Sequence, residues 1–217
     1  RYTLFNYATF FRTTLGIPKG DLYMLGGHSG TGKTSFAFAN MVIPIVESGH
    51  KACIISNEQQ IEVFKTMLAT MELANNMGYY GLTRKKIKQG CFNDEVKRIL
   101  KNVSKITEKK YKGKLKFVRM YDYDMGKIKR VIKKLSKQGY ELFLYDTMKS
   151  QNLSDTQFWQ SLVEDSKGLF QLAAKENVAV LTTYQLAPSM INKRYLDVSC
   201  LSNAKQIKEV FSEMIYL

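Results

Sequence analysis

The sequence predicts an α/β domain with a mostly parallel central sheet flanked by helices. Three observations predict it. Apolar runs of strand length alternate with segments of helical period. Several of those runs are apolar at nearly every position, as strands buried on both faces are. A glycine-rich motif stands between the first run and the first helical segment. A chain of 217 residues, 45% of them hydrophobic, can bury the core of one such domain, and we expect a single domain over residues 1–217.

In chain order, the expected strands are Leu22 to Leu25, Ala52 to Ser56, Lys116 to Arg119, Leu142 to Tyr145, Val178 to Thr183, and Met214 to Leu217. Helical stripes lie between them: Phe64, Met67, Leu68 and Met71; then Val96, Ile99, Leu100 and Val103; then Ile128, Val131, Ile132 and Leu135. Stripes of this kind pack a core. Pro44 falls within the first helical pattern and is expected to kink or end it. Lys109 to Lys114 reads as a basic surface turn.

Gly27-His28-Ser29-Gly30-Thr31-Gly32-Lys33-Thr34, followed by Ser35, matches G-x-x-x-x-G-K-[ST] at every fixed position, after an expected strand and before an expected helix. Its glycines let the backbone curl so that successive N–H groups, roughly Gly30 to Thr34, face a phosphate at the positive end of a helix. Lys33 is placed to reach the β- and γ-phosphates, and the Thr34 hydroxyl to complete a magnesium shell. ATP and Mg2+ are the ligands this motif implies.

Two carboxylates fall on the same rim. Asp146 follows an apolar strand, where open α/β sheets bind ligands, and could hold magnesium through water or else cap a following helix. Glu58 follows the strand Ala52 to Ser56, and is either a general base for an attacking water or a cap for the next helix. Gln185 follows the strand Val178 to Thr183 and could sense a γ-phosphate.

The net charge of +14 is concentrated. Residues 84–140 carry 20 Lys and Arg against 5 Asp and Glu, a net of +15, so the remainder sums to −1. This region is either a phosphate-attracting surface for nucleic acid or a set of solvated amphipathic helices in a lysine-rich chain. Cys53, Cys91 and Cys200 are far apart and are expected to be reduced. No run of about 18 apolar residues occurs, and Arg1 to Phe11 lacks a signal-peptide pattern. We therefore expect a soluble, cytoplasmic protein with no membrane partner. The chain opens on Arg1 and closes within an expected strand, which suggests an excerpt of a longer protein.

The order of these features resembles the ATPase domain of DnaB-type hexameric replicative helicases, phage and plasmid forms included, within the RecA-like superfamily. The resemblance runs through nearly the whole chain. It takes in Leu15 to Leu22 before the motif, then Ile55-Ser56-Asn57-Glu58 at the place of the family's S-L-E segment. Gln89 to Glu95 resembles the "R-x-G-x-L, acidic, helix" stretch, and Leu144-Tyr145-Asp146-Thr147 the D-Y-L-Q segment. Thr183-Tyr184-Gln185-Leu186 stands where the family has S-Q-L, and Ser202 to Ile207 resembles the turn and helix that follow.

The resemblance implies a RecA-like P-loop fold and an ATP-dependent DNA helicase. Gly27 to Ser35 would bind nucleotide, and Lys33, Glu58 and Gln185 would act in hydrolysis and its coupling. Thr34 and Asp146 would hold magnesium. Lys193 and Arg194, in the loop Ala187 to Ser199, would contact single-stranded DNA. It further implies a homo-oligomer, a hexamer, with primase and a helicase loader as partners. The chain departs from the family pattern at Thr147-Met148-Lys149 after Asp146 and at Leu186-Ala187-Pro188 after Gln185, where the family's arginine is absent. The family's arginine finger would lie beyond the last strand. The rival readings are a RecA-like recombinase that assembles on DNA without unwinding it, and a nucleotide-gated regulatory ATPase.

Overall fold

The computed structural model describes residues 16–90, 92–148, 155–186, 196 and 205–217. Among them, the strands are β1 (Leu22–Gly27), β2 (Lys51–Ser56), β3 (Leu115–Arg119), β4 (Tyr140–Met148), β5 (Ala179–Gln185) and β6 (Glu213–Tyr216). They form one sheet in the order β3-β2-β4-β5-β1-β6, and every neighbouring pair is parallel. Each expected strand is present, most of them longer than the apolar run that marked it.

Alternation along the strands divides the core into two layers. Leu22 and Met24 of β1, Cys53 and Ile55 of β2, and Phe143 and Tyr145 of β4 face one side. There they meet Ile128, Ile132 and Leu135 of α5 (Met125–Ser136) and Leu162, Leu169 and Ala173 of α6 (Asp155–Glu176). Tyr23, Leu25, Ile54, Leu142 and Leu144 face the other side. They meet Phe38 and Met41 of α1 (residues 33–47) and Phe64 and Met67 of α2 (Ile61–Met77). Each such side chain, fully buried, contributes about 1.5–3 kcal/mol, so both faces of β1, β2 and β4 must be covered.

Helix α1 begins as α-helix over Lys33–Ala37, passes through a π-turn over Phe38–Val42 and continues over Ile43–Glu47. Pro44 therefore neither ends nor breaks it. The wide turn immediately ahead of the proline takes up the register where its missing N–H and its ring would disturb an α-helical ladder.

Two further helices lie outside the sheet layers. The short α3 (Arg84–Gln89) is capped by the Thr83 hydroxyl and ends at Gly90 with φ 72. Next, α4 (Asp94–Tyr111) is capped by Asn93 Oδ1, which accepts from Val96 N at 2.9 Å. Its stripe packs on α2 rather than on the sheet, with Val103 buried beside Leu73 and Leu82. The expected basic turn at Lys109 to Lys114 is shorter than read. Helix α4 runs on through Tyr111, whose ring is buried and whose hydroxyl donates to Glu47 Oε1 at 3.0 Å. The apolar ring on the inner side of the stripe outweighs the lysines around it.

Helices α3 and α6 had no counterpart in the sequence reading. In α3 the only apolar residue is Ile87, so no period can form. In α6 the buried stripe of Leu162, Leu169 and Ala173 is interrupted by the polar Ser166, which is also fully buried. No helix among the described residues is long and apolar enough to cross a membrane.

Candidate nucleotide-binding and hydrolytic site

The glycine-rich loop leaves the carboxyl end of β1 and feeds α1, so its geometry is set by the sheet below it. Gly27 admits no side chain: a Cβ there would stand 2.8 Å from Thr31 Oγ1 and 2.9 Å from the Leu217 carbonyl. Gly32, at the start of α1, has φ 88, a conformation that L side chains avoid. Between them the loop is pinned by Thr31, whose hydroxyl donates to the His28 carbonyl at 2.9 Å. Phe36 N bonds to Gly32 O in the first turn of α1, and Lys33, Thr34 and Ser35 of that turn line the cleft at the positive end of the helix, where an anion is favoured. Lys33 Nζ donates to the Gly27 and His28 carbonyls at 2.8 and 2.6 Å, positions from which an oxyanion could draw it.

Asp146 lies within β4 rather than after it, and it is fully buried, so it caps no helix. Its Oδ1 accepts hydroxyl protons from Thr34 and Thr183, each at 2.8 Å. Its Oδ2 is buried without a hydrogen-bond partner among the described residues. Burial pushes this carboxyl above the usual carboxylate range, the Thr183 and Thr34 hydroxyls oppose that, and the nearby Glu58 adds to it. A buried carboxylate oxygen with no donor, beside a threonine hydroxyl at a helix start, fits a hard divalent cation such as Mg2+ and its water shell.

Glu58 follows β2, and helix α2 starts from Gln60, so Glu58 is not its cap. It is exposed, and its Oε2 accepts from Thr147 Oγ1 at 3.2 Å. Gln185 ends β5 in register with Gly27 of β1. A cleft of about 710 Å³ collects Lys33, Thr34, Ser35, Glu58, Thr147 and Gln185 on its lining. A volume of this size suits a nucleotide. Asp146 stands directly behind that lining, reached through Thr34.

The sequence profile of the DnaB-like helicase C terminal domain matches residues 5–206. The chain belongs to this family. No curated protein matches it in sequence. Among solved structures, one ATPase domain superimposes with a TM-score of 0.78 at 15% identity, covering 97% of this chain and 74% of that one. A DnaB-like replicative helicase, solved with its interactions with primase, gives 0.80 at 14% identity, covering all of this chain and 51% of that one. The present chain thus spans about half of that helicase's length. At these identities the likeness is one of fold, and the fold is RecA-like.

The DnaB-like domain is a nucleotide-binding module of a DNA-replication helicase family. Within it the structure gathers Gly27 to Ser35, Glu58, Asp146 and Gln185 at one end of the sheet. Lys193, Arg194 and nearly all of the loop between Ala187 and Ser199 lie outside the described residues, as do Cys91 and Cys200. The basic region divides. Lys97, Lys101, Lys105, Lys133 and Lys134 are exposed on the outer faces of α4 and α5, whereas Arg84, Lys85 and Lys88 of α3 line the nucleotide cleft. Arg84 donates to Ser35 Oγ at 3.1 Å across the cleft.

Sequence reasoning missed these three cations, together with Asn57, Thr147 and Thr183. The signal for Thr183 was partly legible: Thr182 and Thr183 are two hydroxyls ending an otherwise apolar run just before Gln185, and only the fold decides which of them enters the site. Asn57 gave none. Its Nδ2 donates to the Thr147 carbonyl at 2.8 Å and its Oδ1 accepts from Thr147 N at 2.9 Å, a clamp that only the β2–β4 pairing creates.

Proposed function

We propose that this DnaB-like domain is the ATP-hydrolysing motor of a replicative DNA helicase that translocates on single-stranded DNA. The observation that carries the reading is the convergence of Thr34, Thr183 and the unpartnered Oδ2 of Asp146 behind a cleft that also holds Lys33 and Glu58. Thr34 and Asp146 would hold Mg2+, which would supply charge neutralisation at the phosphates. Lys33 turns from the Gly27 and His28 carbonyls to the phosphate oxygens. Glu58 takes the proton of the attacking water as it adds to the γ-phosphorus, and the β–γ bridging oxygen leaves with ADP.

Coupling to DNA runs through Gly27. Its carbonyl accepts from Lys33 Nζ at 2.8 Å and from Leu186 N at 3.1 Å, so the lysine that binds phosphate shares an acceptor with the base of the Ala187 to Ser199 loop. Beside it, Gln185 senses the γ-phosphate, and Lys193 and Arg194 follow the DNA backbone. In this reading the chain works as a cytoplasmic homo-hexamer, with ATP at subunit interfaces and with primase and a loader as partners.

The test is magnesium-dependent ATP hydrolysis with and without single-stranded DNA at modest salt, for the wild type, Lys33→Ala and Glu58→Gln. Stimulation by DNA, lost in both variants, supports a DNA-linked motor, and strand displacement then separates a helicase from a filament-forming recombinase. Hydrolysis indifferent to DNA and to Glu58→Gln sinks the assignment.

A further inference from the structure

We propose that Thr147 is a positioning residue for Glu58: it donates its one hydroxyl proton to Glu58 Oε2 and so fixes the carboxylate that activates water. The proposal rests on the ATPase reading above. Thr147 is 3% exposed, yet its Oγ1 is within reach of three groups: Glu58 Oε2 at 3.2 Å, Asp146 Oδ1 at 3.3 Å and Thr183 Oγ1 at 3.1 Å. A hydroxyl carries one proton and two lone pairs, so it cannot serve both carboxylates as donor.

The other protons decide which carboxylate receives it. Asp146 Oδ1 already accepts from Thr34 and from Thr183 at 2.8 Å each, which occupies both of its lone pairs. Thr183, with a 2.8 Å path to Asp146 and a 3.1 Å path to Thr147, spends its proton on Asp146. The Thr147 proton is left for Glu58. The two carboxylates are thereby held by separate hydroxyls, and the hydroxyl between them keeps Glu58 from competing for the donors of Asp146.

The hydroxyl is a fixed point rather than a follower of Glu58. The Asn57 side chain grips the Thr147 backbone on both sides, through the Thr147 N–H at 2.9 Å and the carbonyl at 2.8 Å. Asn57 N also donates to the Asp146 carbonyl at 2.9 Å. The clamp therefore ties the residue next to Glu58 to the strand that carries Thr147. Glu58, exposed and outside regular structure, has three side-chain torsions to order, and a donor on a rigid strand restricts them.

The experiment compares steady-state ATP hydrolysis and fluorescent ATP-analogue binding for the wild type, Thr147→Val, Thr147→Ser, Glu58→Gln and the double variant Thr147→Val with Glu58→Gln. Valine keeps the shape and removes the proton, so kcat should fall about tenfold, a part of the roughly 100-fold or more that a positioned general base supplies, while KM and analogue affinity stay unchanged. Serine should restore the rate, and in the Glu58→Gln background the valine substitution should have no further effect. Wild-type kcat in Thr147→Val, with Glu58→Gln impaired, overturns the positioning role and leaves the ATPase reading standing. A loss of analogue affinity in step with kcat, or an equal loss in the double variant, overturns it too and assigns Thr147 to Asp146 or to the fold. Full activity in Glu58→Gln removes the base itself, and the ATPase reading falls first.

Discussion

The hydroxyls of Thr34 and Thr183 meet on a single oxygen, Asp146 Oδ1, each 2.8 Å away. Thr34 comes from the helix that follows β1, Thr183 from β5 and Asp146 from β4, so this one carboxylate ties the phosphate-loop helix to the two central strands of the sheet. Thr183→Val leaves Oδ1 with one strong donor instead of two. The half-saturating Mg2+ concentration for hydrolysis should rise about tenfold, with the protein still folded, as magnesium titrations of the activity would show.

Asp146→Asn separates stability from activity. Burial holds the folded-state pKa of Asp146 above its unfolded value, so ionisation costs stability at any pH above both values. That cost fades as pH falls through the folded pKa and is absent below the unfolded one. At neutral pH without Mg2+, removing the charge should leave the melting temperature equal to or above that of the wild type, while magnesium-dependent hydrolysis is lost. In the Mg2+-free protein the proton and the cation compete for this carboxylate, so at limiting Mg2+ acidification should weaken hydrolysis from a higher pH than an unshifted carboxylate would allow. Calorimetry and a pH–rate profile read these outcomes.

Lys33→Ala removes charge-assisted hydrogen bonds to phosphate, each worth about 1.5–3 kcal/mol. Affinity for a fluorescent ATP analogue should fall on the order of 10- to 100-fold. The fold should be unaffected, because the partners of Lys33 in the structure include backbone carbonyls at the exposed loop.

Gly27→Ala puts a methyl group against Thr31 Oγ1 and the Leu217 carbonyl, at 2.8 and 2.9 Å. Backbone on one side cannot yield cheaply, so denaturant melts should show a loss of about 1–3 kcal/mol. Nucleotide affinity should drop with it, since the loop and β6 are displaced together.

Cys53 is fully buried, and burial pushes its thiol up to about 12, against the pull of Lys116. The thiolate is therefore scarce at ordinary pH. Iodoacetamide at pH 8, followed by peptide mapping, should leave Cys53 unmodified in the folded protein and modified once it is denatured.

What the sequence determined by itself was whatever depends on local pattern. Apolar stretches of strand length, several of them continuous, marked all six strands, and the period of Ile128, Ile132 and Leu135 marked α5. The spacing of Gly27, Gly32, Lys33 and Thr34 located the phosphate loop, because its chemistry is carried by adjacent residues. The departures were equally local in cause: α3 has too few apolar residues to show a period, and α6 breaks its stripe with the buried Ser166. The tertiary structure alone decided which polar groups face one another. Asn57 meets Thr147 only because β2 pairs with β4, and Thr183 meets Asp146 only because β4 pairs with β5. Hydrogen bonds depend on distances set to a few tenths of an ångström by strand pairing, and residues far apart in sequence carry no local sign of that pairing.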